Sequence, residues 1–179
     1  MRFRLLKTAL ILSAAAPVAA DFAFGLAPDA PAAQGRTASV GTVLVEKAER
    51  RLQLLDADGA VLKSYTISLG GDPLGHKQRE GDGRTPEGRY TIDWRNPQSA
   101  YHLSLHISYP DEADMRRAAE RGEDPGGMIM IHGMRNGLGW LGSLHQYADW
   151  TDGCIAVTNA EMEEIWRLVP DGTPIEIRP

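Results

Sequence analysis

Apolar and polar residues alternate along much of this chain, and the alternation predicts strands. Val40 to Val45 is rich in β-branched residues, and Leu52-Gln53-Leu54-Leu55 runs into Asp56-Ala57-Asp58-Gly59, a turn composition. Val61 to Leu69 resumes the alternation, so these runs predict a hairpin near the start of the domain. A long glycine-rich stretch, 70–88, follows and flanks whatever cleft the fold makes, before Arg89-Tyr90-Thr91-Ile92 begins another strand. From His102 to Ile107 the period is two. Leu103, Leu105 and Ile107 fall on one face, and His102, Ser104 and His106 fall on the other, which is expected to meet water. Pro110 closes that strand, Asp111 to Arg121 reads as a short surface helix, and Met128 to Ile131 reads as a short buried strand ending at His132.

The period becomes helical after Thr158. Thr158-x-x-Glu161 fits a capping box, in which hydroxyl and carboxylate each satisfy a backbone amide of the other residue. Met162, Ile165, Trp166 and Val169 follow at helical spacing, Pro170 and Gly172 end the helix, and Pro174-Ile175-Glu176-Ile177 supplies a closing strand. The predicted fold is mostly β, one domain over residues 38–179 with one packed C-terminal helix and one lesser surface helix.

The first residues carry a different signal. Arg2, Arg4 and Lys7 precede an apolar stretch and the small residues Val18-Ala19-Ala20, the pattern of an export signal over residues 1–20. Residues 21–37, rich in alanine, proline and glycine, read as a flexible leader. The signal is too short and too alanine-rich for a persuasive membrane span, so no integral span is expected after cleavage, and the location is expected to be the periplasm, against the cell wall. The chain holds 19 basic and 24 acidic residues, a net charge of −5; residues 1–20 carry three of the basic ones and none of the acidic, leaving −8. Such a surface repels nucleic acid and anionic membrane.

Export implies an oxidising compartment, yet the single cysteine, Cys154, gives no disulfide framework. It lies in Asp149-Trp150-Thr151-Asp152-Gly153-Cys154-Ile155, with a glycine before it and an apolar run after it. A thiol reacts as its thiolate and needs a base to make it at neutral pH. His132 is the candidate base: it ends a strand, where a side chain projects into a cleft, and Gly133 lets the chain turn and leaves a carbonyl to hold an imidazole N–H. Gly153 removes bulk beside the thiol, and the amides around Gly153 and Cys154 are placed to line an oxyanion hole, with Thr151 and Asp152 as neighbouring substrate-side candidates. His145 is a candidate substrate contact in a mobile loop. Trp140, within the glycine-rich 137–142 stretch, is a candidate lid residue, while Trp150 and Trp166 read as packing. A zinc site built on His102 and His106 fails on distance, since residues four apart on a strand lie roughly 13 Å apart. Gly81-x-Gly83 lacks the spacing of a phosphate cradle.

Ile131-His132-Gly133 followed by Thr151-Asp152-Gly153-Cys154-Ile155 resembles the signature of the YkuD-type L,D-transpeptidases. The segment Gly81 to Tyr90 is similar to that family's strand entry, and Gly172 to Ile177 to its last strand, so the resemblance covers about Val40 to Ile177. It implies a β-sandwich-like scaffold with cysteine and histidine in one cleft, and no metal or organic cofactor. The implied reaction is acyl transfer on peptidoglycan stem peptides. Cys154 attacks the carbonyl of a meso-diaminopimelate at position three of a tetrapeptide stem, terminal D-alanine leaves, and an amine resolves the thioester. His132 serves as base and then acid, and the Gly133 carbonyl orients its ring. A wall-anchored lipoprotein is a further possible acceptor partner. The chain departs from many members at Asp152, where histidine is common, and at Ala156, where arginine or asparagine is common. The first change sets a carboxylate near the thiol and disfavours its ionisation. Water in place of the amine gives an L,D-carboxypeptidase or hydrolase, and loss of chemistry leaves a peptidoglycan-binding module.

Overall fold

A computed structural model describes residues 39–179; the expected export signal and leader, 1–20 and 21–37, lie outside the described residues. The sandwich-like scaffold takes the form of a single eight-stranded sheet. Its strands are β1 (Thr42–Glu46), β2 (Arg51–Leu55), β3 (Val61–Thr66), β4 (Gly88–Asn96), β5 (Ser104–Ile107), β6 (Met130–His132), β7 (Ile155–Ala156) and β8 (Thr173–Arg178). Their order is β3-β2-β1-β8-β4-β5-β6-β7. β1, β2 and β3 form the predicted antiparallel run, turned after β2 by Asp56, whose carboxylate accepts from the amides of Asp58 and Ala60. The closing strand β8 inserts between β1 and β4, parallel to the first and antiparallel to the second.

The sheet curls until its two ends meet. Just beyond β3, Ser68 exchanges both backbone hydrogen bonds with Ala156 of β7, each 2.9 Å long, and Gly70 bridges to Thr151. An edge strand presents unpaired backbone groups; here the chain leaving β3 satisfies those of β7. The curl encloses one core that includes Val43, Val45, Leu52, Leu54, Ile92, Leu105, Ile107 and Ile131. Helix α2 (Asn159–Leu168), capped by Thr158 and Glu161 as its sequence predicts, packs against β5 and β6. Its Met162 and Ile165 are fully buried, each worth about 1.5–3 kcal/mol by area removed from water. Helix α1 (Glu112–Glu120) starts at Asp111, which forms a capping box with Asp114.

Three expectations change. The alternation over 102–107 holds only from Ser104, because His102 adopts a positive φ of 67° and stands outside the strand. The polar face of β5 does not simply meet water, since Ser104 lies beside His132 of the neighbouring strand and His106 stacks on the Trp94 ring at 4.8 Å. Ser104 is 3% exposed and in register with His132. His106 and His102 are paired instead with Asp93 (2.6 Å) and Glu163 (2.9 Å). The segment expected as a mobile loop contains 3-10 turns over Gly139–Tyr147, kinked at Gly142 (φ 52°, ψ −129°).

Candidate active site

Strands β6 and β7 run parallel, with Ile131 opposite Ile155 and His132 opposite Ala156. Those two isoleucines are fully buried, so Met130 and His132 point the other way, together with Ala156 and, one step before β7, Cys154. Continuing the register puts Cys154 beside Met130, two residues from His132. On a lattice of about 4.8 Å between strands and 3.3 Å per residue, the two backbones are about 8 Å apart, a span that the two side chains reach across. Both line one cleft of about 340 Å³, with Tyr101, Ser104, Met128 and Trp150 among its other walls.

The imidazole is held on three sides. Its Nδ1 donates to the Gly133 carbonyl at 2.6 Å, which fixes the tautomer and leaves the Nε2 lone pair to accept a proton. The Tyr101 ring packs at 4.6 Å and the Trp150 ring edge-on at 5.9 Å. A Cβ at Gly133 would lie 2.7 Å from Asn159 Oδ1 and 3.1 Å from His102 Cβ, so a larger residue there would displace the Asn159 side chain. Asn159, the first residue of α2, in turn accepts from the Met134 amide at 2.8 Å, so the helix start secures the chain just past the imidazole.

The thiol sits on an equally constrained turn. Thr151 Oγ1 donates to the Cys154 carbonyl at 2.7 Å and accepts from the Gly153 amide at 3.1 Å. The Gly153 amide, expected to help line an oxyanion hole, is therefore engaged by Thr151 instead. Gly153 has φ 128°, and a Cβ would lie 2.5 Å from the Arg84 carbonyl, so the glycine-rich 70–88 stretch packs directly against the nucleophile turn. Upstream, Asp149 binds the Arg50 guanidinium through both carboxylate oxygens and accepts from the Leu69 amide at 2.9 Å, pinning Trp150 at the cleft.

Electrostatically the resting pair is neutral. Burial lowers the pKa of His132, against the hydrogen bond to Gly133, and the charge of His145 lowers it further. Burial pushes the Cys154 thiol up, aided by the Asp152 carboxylate and opposed by the Met130 amide and the Lys77 ammonium. The half-buried thiol donates to the Met128 carbonyl at 3.6 Å, and no hydrogen bond joins it to the imidazole. Thiol and neutral imidazole lining one cleft can pass a proton as a carbonyl carbon arrives at sulfur.

Of the remaining expected site residues, exposed Asp152 lines the cleft and Thr151 lines it while buried. Trp140 is 76% exposed and lines neither this cleft nor the second cleft that borders Cys154, so the structure does not bring it to the thiol. His145 is buried rather than mobile. Its Nδ1 accepts from the Trp150 indole at 3.3 Å, behind the cleft wall. Trp150, read as packing, is a wall of the cleft, and Tyr101, Lys77 and Asn159 carried no signal in the sequence reading.

The two buried imidazoles make a stability prediction. Burial also lowers His145, against the Glu161 charge. Both rings stay neutral in the folded protein at pH values where the unfolded chain, with histidine near 6.5, takes up protons. The contribution is complete above about pH 6.5 and is lost as pH falls toward the lowered folded values. Melting temperature is expected to decline as pH falls below about 6.5, and less steeply in His145→Gln. A flat profile over that window in thermal melts would show that neither ring is held neutral.

The family profile that matches the chain, over residues 41–177, is YkuD, the L,D-transpeptidase catalytic domain. YafK of Escherichia coli (strain K12), named provisionally as an L,D-transpeptidase, is 32% identical over 133 residues, 71% of this chain and 46% of that protein. The chain spans about half the length of the curated relatives it matches. Among solved structures, the helical cell shape determining protein Pgp2 of Campylobacter jejuni superposes with a TM-score of 0.61 at 26% identity, covering 78% of this chain and 48% of that one. An L,D-transpeptidase from Xylanimonas cellulosilytica shares the fold with a TM-score of 0.51 at 19% identity, covering 80% and 62%. With the match running from the first strand to the last, this chain belongs to the YkuD family of L,D-transpeptidase catalytic domains.

Proposed function

We propose that the protein is a wall-modifying L,D-transpeptidase that works through a thioester on Cys154. The observation that supports this reading is the parallel β6–β7 pairing, which sets Cys154 and His132 on one cleft with the imidazole tautomer fixed by Gly133. The Cys154 sulfur attacks the carbonyl of residue three of a tetrapeptide stem while its proton passes to His132 Nε2. The carbon–nitrogen bond then breaks, and the same proton goes to the departing D-alanine amine. An incoming amine attacks the thioester, gives a proton to His132, and the carbon–sulfur bond breaks as sulfur regains a proton. Each half-reaction is balanced and returns the neutral pair.

The residues 1–20 pattern supports export, and among the described residues no helix is long and apolar enough to cross a membrane. Purified protein incubated with a tetrapeptide muropeptide and followed by intact-protein and product mass spectrometry tests the reading. The expected result is an acyl adduct on Cys154 and a crosslinked product. Trimmed tripeptide alone would make water the acceptor, and no adduct at an alkylatable Cys154 would leave only a binding module.

A further inference from the structure

The Trp150 ring stands between two open spaces. On one side is the thiol cleft; on the other is an apolar groove of about 510 Å³ whose walls include Met134, Leu138, Leu141 and Leu144. Tyr101 and Trp150 line both, and Trp150 is 36% exposed, so packing alone does not fix the indole. Yet the indole is one of the groups that hold the imidazole of the reacting pair, meeting His132 edge-on at 5.9 Å. The Trp150 backbone is secured by the Asp149 clasp and by its amide, which donates to the Leu69 carbonyl at 3.1 Å. The ring itself makes one hydrogen bond among the described residues, from Nε1 to His145 Nδ1 at 3.3 Å. His145 is buried and well anchored. Ser68 donates to its carbonyl at 3.1 Å, and the next residue, Gln146, donates to the Thr66 carbonyl at 2.6 Å and to Glu161 at 3.1 Å.

That bond dictates the state of the His145 ring. An indole N–H only donates, so Nδ1 must offer a lone pair and the ring proton must sit on Nε2. Ser68 Oγ, 3.4 Å from the same nitrogen, directs its proton to the His145 carbonyl instead. Nε2 is then an N–H without an acceptor: among the described residues it is the one buried side-chain nitrogen or oxygen left unpaired. A buried unpaired donor costs stability, and an apolar residue of similar size would fill the space without it. What the imidazole supplies and such a residue cannot is the lone pair facing the indole. A protonated ring has no lone pair, so the hold lasts while His145 is neutral. Burial favours the neutral ring against the Glu161 charge on α2, and a charge on His145 would also repel one on His132 of β6.

Resting on the acyl-transfer reading above, we propose that His145 is a positioning residue: its Nδ1 lone pair holds the Trp150 indole against His132 and so sets that imidazole for proton transfer. His145 touches neither the thiol nor the substrate. It acts through the indole, which without this bond is free to turn into the groove or the cleft and leaves one side of His132 unsupported.

The test measures melting temperature and kcat/KM for D-alanine release from a tetrapeptide stem, on the full chain at about pH 8, where ordinary histidine is neutral. The variants are His145→Leu, His145→Asn, Trp150→Phe and the two double combinations. Leucine fills the ring's space and accepts nothing, whereas asparagine keeps an acceptor oxygen where Nδ1 stood. His145→Leu is expected to melt no lower than the wild type, having lost the unpaired N–H, yet to react about tenfold more slowly. His145→Asn is expected to react within about threefold of the wild type. A merely space-filling role gives the reverse order of rates. Trp150→Phe removes the donor, and is expected to cost about tenfold alone and to erase the difference between leucine and asparagine. Leucine as fast as the wild type, asparagine as slow as leucine, or a difference that persists beside Trp150→Phe overturns this inference alone. Should the leucine variant fail to fold, an unchanged rate in Trp150→Phe overturns it as well. A wild-type protein that releases no D-alanine overturns the acyl-transfer reading, and this inference with it.

Discussion

Cys154→Ala is expected to lower turnover of a tetrapeptide stem by about 10⁴-fold or more and to abolish the mass adduct, while the protein stays folded. The reason for the kinetic loss is that no other side chain in the cleft offers a nucleophilic atom of comparable reactivity. Ser104 and Ser99 line it with hydroxyls, which are far weaker nucleophiles at neutral pH than a thiol. The reason for the small stability cost is local. The sulfur is half-buried and makes one long hydrogen bond, 3.6 Å to Met128, whereas the turn is held by Thr151 and by Gly153 packing on Arg84, none of which needs the thiol. Removal of one such atom costs about 1 kcal/mol, a few degrees in melting temperature for a domain of this size. Circular dichroism and thermal melts beside the turnover assay check both halves. Unfolding on substitution would mark the thiol as core, and retained turnover would remove it from the chemistry.

The parts of this site that the sequence revealed are those where local pattern and chemistry coincide. The run ending at His132 is apolar and short, as a strand buried in a sheet must be, and the glycines at 133 and 153 stand where neighbours crowd a Cβ, the Asn159 and His102 side chains at 133 and the Arg84 carbonyl at 153. Helix α2 was legible because its cap and its apolar stripe agree. What was not legible depends on neighbours distant in sequence. Ser104 reads as solvent-facing from its period, yet it pairs beside His132, and its side of the strand lines the cleft. Trp150 has no periodicity of its own, and partners distant in sequence set it at the cleft: the Arg50–Asp149 clasp, which joins residues 99 positions apart, and the Leu69 carbonyl, which accepts from the Trp150 amide at 3.1 Å. Lys77 lies in a polar loop like any surface lysine until Asp82 folds that loop around it. Trp140 shows the converse: a glycine-rich setting suggested a lid, but the ring stands in solvent.

His132→Asn is the complementary experiment, and its diagnostic readout is the pH profile. The asparagine amide can still donate to the Gly133 carbonyl in place of Nδ1, so the chain around it need not move, but no base replaces Nε2. The rate is expected to fall about 10²- to 10⁴-fold. In the wild-type protein kcat/KM requires neutral imidazole; since burial lowers the His132 pKa, the rate falls off only on the acid side of its usual 6.5. In the variant that acid-side inflection should vanish. Attack must then await the thiolate, whose pKa burial raises, so the rate should climb with pH through and beyond the ordinary thiol value of 9.0. A loss of only a few-fold with the acid limb intact would assign the base elsewhere. The buried His145, which meets the cleft wall at Trp150, is the imidazole to test next. The neutral resting pair thus makes a prediction that an ion pair would not: removing the histidine should shift the thiol's reactivity little at high pH and almost completely near neutrality, because His132 acts by taking the proton during attack rather than by holding a preformed thiolate.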